Sequence, residues 1–94
     1  MELKDTVKQM ESTDYKERFK AEYYQLKIRY EKLKAFNTKI EAAEATCYKG
    51  AEAIAMPKHD CPNSLLREQQ HLMGQLLHTL ELRAAIEGIE LKEV

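Results

Sequence analysis

Residues 61–88 read CPNSLLREQQHLMGQLLHTLELRAAIEG. Pro62 stands where proline suits the first turn of a helix, and Gly88 where glycine supplies a left-handed end. The spacing between them predicts one helix over 62–87. Leu66, Met73 and Leu80 fall on one heptad row, Leu65, Leu72 and Ile86 on the next, and Leu77 and Ala84 beyond. Leu76 and Leu82 widen the stripe further. An apolar stripe about 100° wide serves one neighbouring helix, and this one is wider.

Working back along the chain, a second long helix is expected over 14–45. Phe19, Leu26, Leu33 and Ile40 recur every seven residues, and Tyr23, Tyr30 and Asn37 follow four later on the same flank. Asp14 with Glu17 resembles a capping box, although Ser12 or Thr13 could cap equally well. Residues 46–61 carry Gly50 and Pro57 and read as the connection, with a helical turn possible in AEAIAM. Residues 2–10 predict a short helix with Leu3, Val7 and Met10 on one side, and 88–94 an extended or frayed tail.

The expected fold is therefore all-α: a single domain, 1–94, formed as a helical hairpin with a short N-terminal helix. Helices of about 30 and 26 residues span about 45 and 39 Å, which gives a long seam but no enclosed interior. A second copy of the chain is the expected cover for the remaining apolar face, making a homo-oligomeric bundle of at least four helices.

Bulk properties narrow the function. The formal net charge of −1 disfavours nucleic acid as a partner, and no apolar run approaches a membrane span. MELKDTVKQM lacks the apolar core of a signal peptide. Two cysteines, Cys47 and Cys61, are too few for a disulfide framework and fit a reducing cytoplasm. Cys47, His59, Asp60 and Cys61 have a metal-like composition but not the paired spacing of a zinc site, so no metal and no cofactor are expected. No phosphate loop, Ser–His–Asp order or HExxH motif supports catalysis, and an enzyme is not expected.

Several polar residues admit two readings. Glu22, Arg29 and Arg83 lie near the seams, where a Glu–Arg pair with packed stems or an anion pocket would each suit them. Tyr15, Tyr23, Tyr24 and Tyr30 interleave with Lys and Arg in the first helix, either as an ordinary tyrosine-rich seam or as a grip for bases and phosphates. His71 and His78 share a face with Gly74, either as a solvated surface or as a pocket wall. Gly74 costs about 1 kcal/mol of helix propensity, which suggests the close approach of another group.

DYKERFKAEYYQLKIRYEKL and CPNSLLREQQHLMGQLLHTLELRAAIEGIEL resemble a family of small phage and prophage proteins named after a crAss-like phage gene. That resemblance implies a phage origin and the host cytoplasm as the place of action. The connection 44–60 is longer here than is usual in that family. A second resemblance is architectural. PNS at a helix start and RAAIEG at its end are similar to features of helical-hairpin phage proteins that oligomerise and sequester nucleotide signals of CBASS and Thoeris immunity. It implies a sponge that binds a cyclic oligonucleotide or an ADP-ribose derivative without cleaving it. In a pocket expected between protomers, Arg29, Arg83 and Lys27 would then contact phosphate, Tyr23 and Tyr30 would stack on bases, and His71, Gly74 and His78 would wall the site. The rival expectation is a helical scaffold that binds and inhibits a host defence protein.

Overall fold

The computed structural model describes residues 1–93, so Val94 at the end of the expected tail lies outside the described residues. A 3-10 turn, Leu3–Thr6, leads into α1 (Val7–Met10), the long helix α2 (Tyr15–Thr46), a second 3-10 segment (Cys47–Glu52) and α3 (Asn63–Glu87). No strand occurs among the described residues. No helix among them is long and apolar enough to cross a membrane. The hairpin is thus observed, with each long helix within a residue or so of its expected bounds.

Local chemistry sets those bounds. Asp14 accepts from the Lys16 amide at 3.0 Å and caps α2. Glu17 does not complete the expected capping box: it accepts from Gln9 at 2.9 Å and so ties α2 to α1. At the far end of α3, Gly88 takes the left-handed conformation at φ 70°. The Ile89 amide then reaches back to the Ala84 carbonyl at 2.8 Å, a Schellman closure.

That turn places Ile89 in the core rather than in a frayed tail. Phe19, Tyr23, Tyr24, Leu77, Leu80, Ala84 and Ile89 form one buried cluster, with Leu26, Tyr30 and Leu91 packed on it. The Lys92 amide donates to the Tyr24 hydroxyl at 3.1 Å, so the tail continues across α2. Ile40 and Ala43 are buried nearer the loop. Between these regions Asn37 is buried in the seam, its amide nitrogen donating to the Leu66 carbonyl at 3.1 Å and to Gln70 Oε1 at 2.9 Å.

The N-terminal segment packs differently from its apolar pattern. Val7 and Met10 are exposed, whereas Thr6 is buried. The Thr6 hydroxyl donates to the Leu3 carbonyl at 2.7 Å and accepts from Gln25 at 2.8 Å. In the connection, the His59 ring sits between the Pro57 carbonyl and Asn63 Oδ1 and meets Phe36 edge-on at 5.7 Å. His59 is therefore a loop anchor. Cys47 and Cys61 are free and exposed.

Leu80 is 2% exposed within the cluster, while Ile86 is 83% exposed one and a half turns later. Aspartate at Leu80 would bury an unpaired charge at a cost of several kcal/mol. Leu80→Asp is predicted to abolish the cooperative helical melt followed by circular dichroism. Ile86→Asp is predicted to melt like the parent, because an exposed substitution changes stability by only about 0.5 kcal/mol.

Candidate functional site

The α2–α3 seam has two unlike flanks. On one, a furrow of about 810 Å³ is lined by Tyr30 and Glu41 from α2 and by a row of polar residues from α3. Arg67, His71, Gly74 and His78 recur at spacings of four, three and four, which is one helical face. Gln70, Gln75 and Thr79 complete the wall.

Gly74 explains the position of Tyr30. A Cβ at 74 would lie 3.3 Å from Cε1 of the Tyr30 ring, tighter than ordinary contact. The missing side chain lets the aromatic ring settle against the α3 backbone. Tyr30 remains half-buried, with its ring available to the furrow. The close approach that the helix-interior glycine suggested is thus the approach of Tyr30.

Hydrogen bonds fix the furrow's polar groups. Asn37 occupies Gln70 Oε1, which leaves the Gln70 amide NH₂ to donate elsewhere. Gln75 Nε2 lies 3.1 Å from His71 Nε2. An amide nitrogen only donates, so in this contact the His71 nitrogen is the acceptor. The Thr79 hydroxyl donates to the Gln75 carbonyl at 3.1 Å. Arg67 lies 4.0 Å from Glu44 across half-exposed side chains, a weak pairing that leaves its other nitrogens free to bind.

A second depression, about 530 Å³, continues the same flank one turn on, lined by Tyr23, Lys27, Glu81, Leu91, Lys92 and Glu93. Lys27 lies 5.8 Å from the centre of the Tyr30 ring and 3.3 Å from Glu31. Tyr23 is 6% exposed, and its hydroxyl donates to Glu81 at 2.7 Å. It forms the floor of this depression and presents no free ring face, so it does not fill the stacking role expected of it. Burial, followed by the bond to Glu81, pushes the Tyr23 hydroxyl up to about 12.

Of the expected site residues, Lys27, Tyr30, His71, Gly74 and His78 therefore gather on this flank. Arg29 and Arg83 do not. Arg29 is exposed one residue before Tyr30, about 100° round the helix and away from the furrow. Arg83 stacks 5.0 Å over Phe19, donates to the Tyr15 hydroxyl at 2.6 Å and to Glu87 at 3.3 Å. Tyr15 in turn donates to Glu87 at 2.9 Å, and that bond, helped by burial, raises the Tyr15 hydroxyl against the opposing pull of Arg83. Arg83 is the structural member of an Arg–Tyr–Glu clasp between the helix ends. Arg67 is the cation that the sequence reading missed. Its four-three-four spacing with His71, Gly74 and His78 was the available signal.

With this geometry in view, the comparison with known families is direct. A Sequestin profile matches residues 13–86, nearly the whole hairpin. The chain belongs to the Sequestin family. The family's name denotes binding and withholding, which is a role for a site and not for a reaction. No curated protein and no solved structure matches the chain. The Sequestin match runs from just before the Asp14 cap to one residue short of the end of α3. Every residue lining the larger furrow lies inside it, whereas Leu91, Lys92 and Glu93 of the second depression lie outside.

The Tyr23 proton gives a test of this packing. The folded chain holds it more tightly than the unfolded chain, whose tyrosines ionise near 10.0. The interaction therefore stabilises fully below pH 10 and is lost as pH rises toward about 12. Tyrosinate absorbance is predicted to show a late step near 12 that Tyr23→Phe removes. Full titration of the tyrosines in one step near 10 while the helix signal persists would contradict the buried Tyr23–Glu81 pair.

Proposed function

We propose that this Sequestin binds a nucleotide immune signal in the Tyr30 furrow and withholds it without cleaving it. The observation that carries the reading is the seating of Tyr30 on Gly74 within a wall of amides, imidazoles and one arginine. An aromatic face stacks on any base, amide groups read base edges, and a guanidinium suits phosphate. Glu41 adds an acceptor for a base amine or a ribose hydroxyl. The ligand classes proposed are cyclic oligonucleotides and ADP-ribose derivatives, and the setting proposed is the cytoplasm of a bacterium under attack by a phage that carries the protein.

Withholding rather than turnover is the role the family name suggests, and the engagement of two furrow groups supports it. Thr79 gives its proton to a backbone carbonyl, and His71 is held by Gln75. Neither is paired as a nucleophile with an activating base. A sponge needs only a preformed surface whose groups are fixed before the ligand arrives.

Titration calorimetry with a panel of cyclic dinucleotides and ADP-ribose derivatives tests the assignment. Stacking on one base contributes about 1–3 kcal/mol, and a charge-assisted phosphate contact about 1.5–3 kcal/mol. Arg67→Ala is predicted to weaken capture by roughly tenfold or more with melting temperature nearly unchanged, and Tyr30→Ala to weaken it as much while also lowering the melting temperature, because the ring packs on the core cluster. Arg29→Ala is predicted to bind like the parent. Gly74→Ala restores about 1 kcal/mol of helix propensity yet pushes the Tyr30 ring, so it should lose affinity without losing stability. Normal capture by both Tyr30→Ala and Arg67→Ala would remove the furrow as the site.

A further inference from the structure

The opposite flank of the seam has a different chemistry. Leu65, Leu72 and Leu76 on α3 are 53%, 54% and 45% exposed. With Cys61, Met73 and the stem of Gln69 they line an apolar depression of about 480 Å³. These leucines are not part of the hairpin core, where Leu77 and Leu80 already fill the seam.

Three observations say what covers them. The first is surface area. The chain exposes 6776 Å². A compact monomer of its mass would expose about 5,600 Å². The excess is about 1,200 Å², and a standard interface covers about 800 Å² on each partner. The radius of gyration agrees: it is 17.0 Å, against about 12 Å for a compact domain of this length.

The second is the footprint. α3 has 25 residues and so spans about 37 Å. To cover the roughly 800 Å² per partner of a standard interface, a contact along it would have to be as wide as the 22 Å short side of the molecule and so take in the edge of α2 as well. The flank formed by both helices is therefore large enough for a stable interface.

The third is charge. From Leu65 to Leu82 the charged residues are Arg67, Glu68 and Glu81. Arg67 faces Glu44, and Glu81 accepts from Tyr23, both on the furrow side. On α3 that leaves Glu68 as the charge bordering the leucine strip, beside the self-complementary amide of Gln69. A two-fold contact sets a surface against its own copy, so a charged stripe would repel itself and a neutral one does not.

We infer that the Leu65–Leu72–Leu76 strip is the interface with a second copy of the chain, in a four-helix dimer whose Tyr30 furrows face away from the contact. The inference stands apart from the ligand proposed above, since the strip and the furrow are on opposite flanks.

Sedimentation equilibrium of the full chain without nucleotide tests it. The parent protein is expected to be a dimer at micromolar concentration, and the Leu72→Glu, Leu76→Glu double variant a helical monomer. If the double variant fails to fold, Leu76→Gln is the second reading, expected to raise the dissociation constant at least tenfold because the lost contact is repeated by symmetry. A parent that stays monomeric at micromolar concentration would overturn the inference. So would a double variant, or a Leu76→Gln variant, that dimerises as tightly as the parent. A monomeric parent that still captures nucleotide would sink the dimer and leave the furrow standing.

Discussion

Two long helices packed side by side bury a seam and nothing else, and this limit governs the rest of the structure. A third helix over either flank would enclose a core, but α1 packs on α2 elsewhere, through Thr6, Gln25 and Glu17. The seam must then be held by what lies along it. At one end the tyrosine–leucine cluster is closed by Ile89, which the Gly88 turn folds inward. Near the other end Asn37 sits where an apolar residue would pack, and it bonds across to Leu66 and Gln70. A buried polar residue at such a position favours one register over its neighbours, because sliding the helices would break both bonds.

The limit also creates two open flanks, and they have diverged. One gathers Arg67, His71, Gln75 and His78 around an aromatic ring, and the other gathers leucines. Gly74 belongs to the first, at a cost in helix propensity that has a return in geometry: the ring lies against the backbone, and the furrow is shaped before any ligand enters. Asn37 links the seam to the site, since it sets which end of the Gln70 amide is free. The seam's register and the furrow's geometry thus share a residue.

The heptad rows of both helices, the Asp14 start and the Pro62 and Gly88 limits were legible because they depend on local chemistry and periodicity. So was the surplus of leucines on α3. Lys27, Tyr30, His71, Gly74 and His78 were named as site residues, and they lie along one flank. The choice between Arg29, Arg83 and Arg67 was not legible. A periodic pattern shows that a residue borders the seam but not on which flank its partner helix places it, so Arg29 looked as well placed as Lys27. Arg83 looked like a free cation until the helix ends brought Tyr15 and Glu87 to it. Tyr23 and Tyr30 sit seven apart with the same periodicity, yet one is buried with its hydroxyl bonded to Glu81 and the other stays half-open. Thr6 carries no apolar signal at all, and its buried hydroxyl is matched by hydrogen bonds to Leu3 and Gln25 that no periodicity shows.

The account rests on a furrow that holds a nucleotide signal and returns it intact. The direct measurement is to incubate the protein with a defined cyclic dinucleotide or ADP-ribose derivative that it binds, remove unbound ligand by filtration, denature the protein by heat and analyse what is released. The account predicts recovery of the unchanged nucleotide in proportion to the protein added, at any incubation time. Release of a cleaved or rearranged product that accumulates with time would contradict it, as would a panel of such nucleotides none of which is retained.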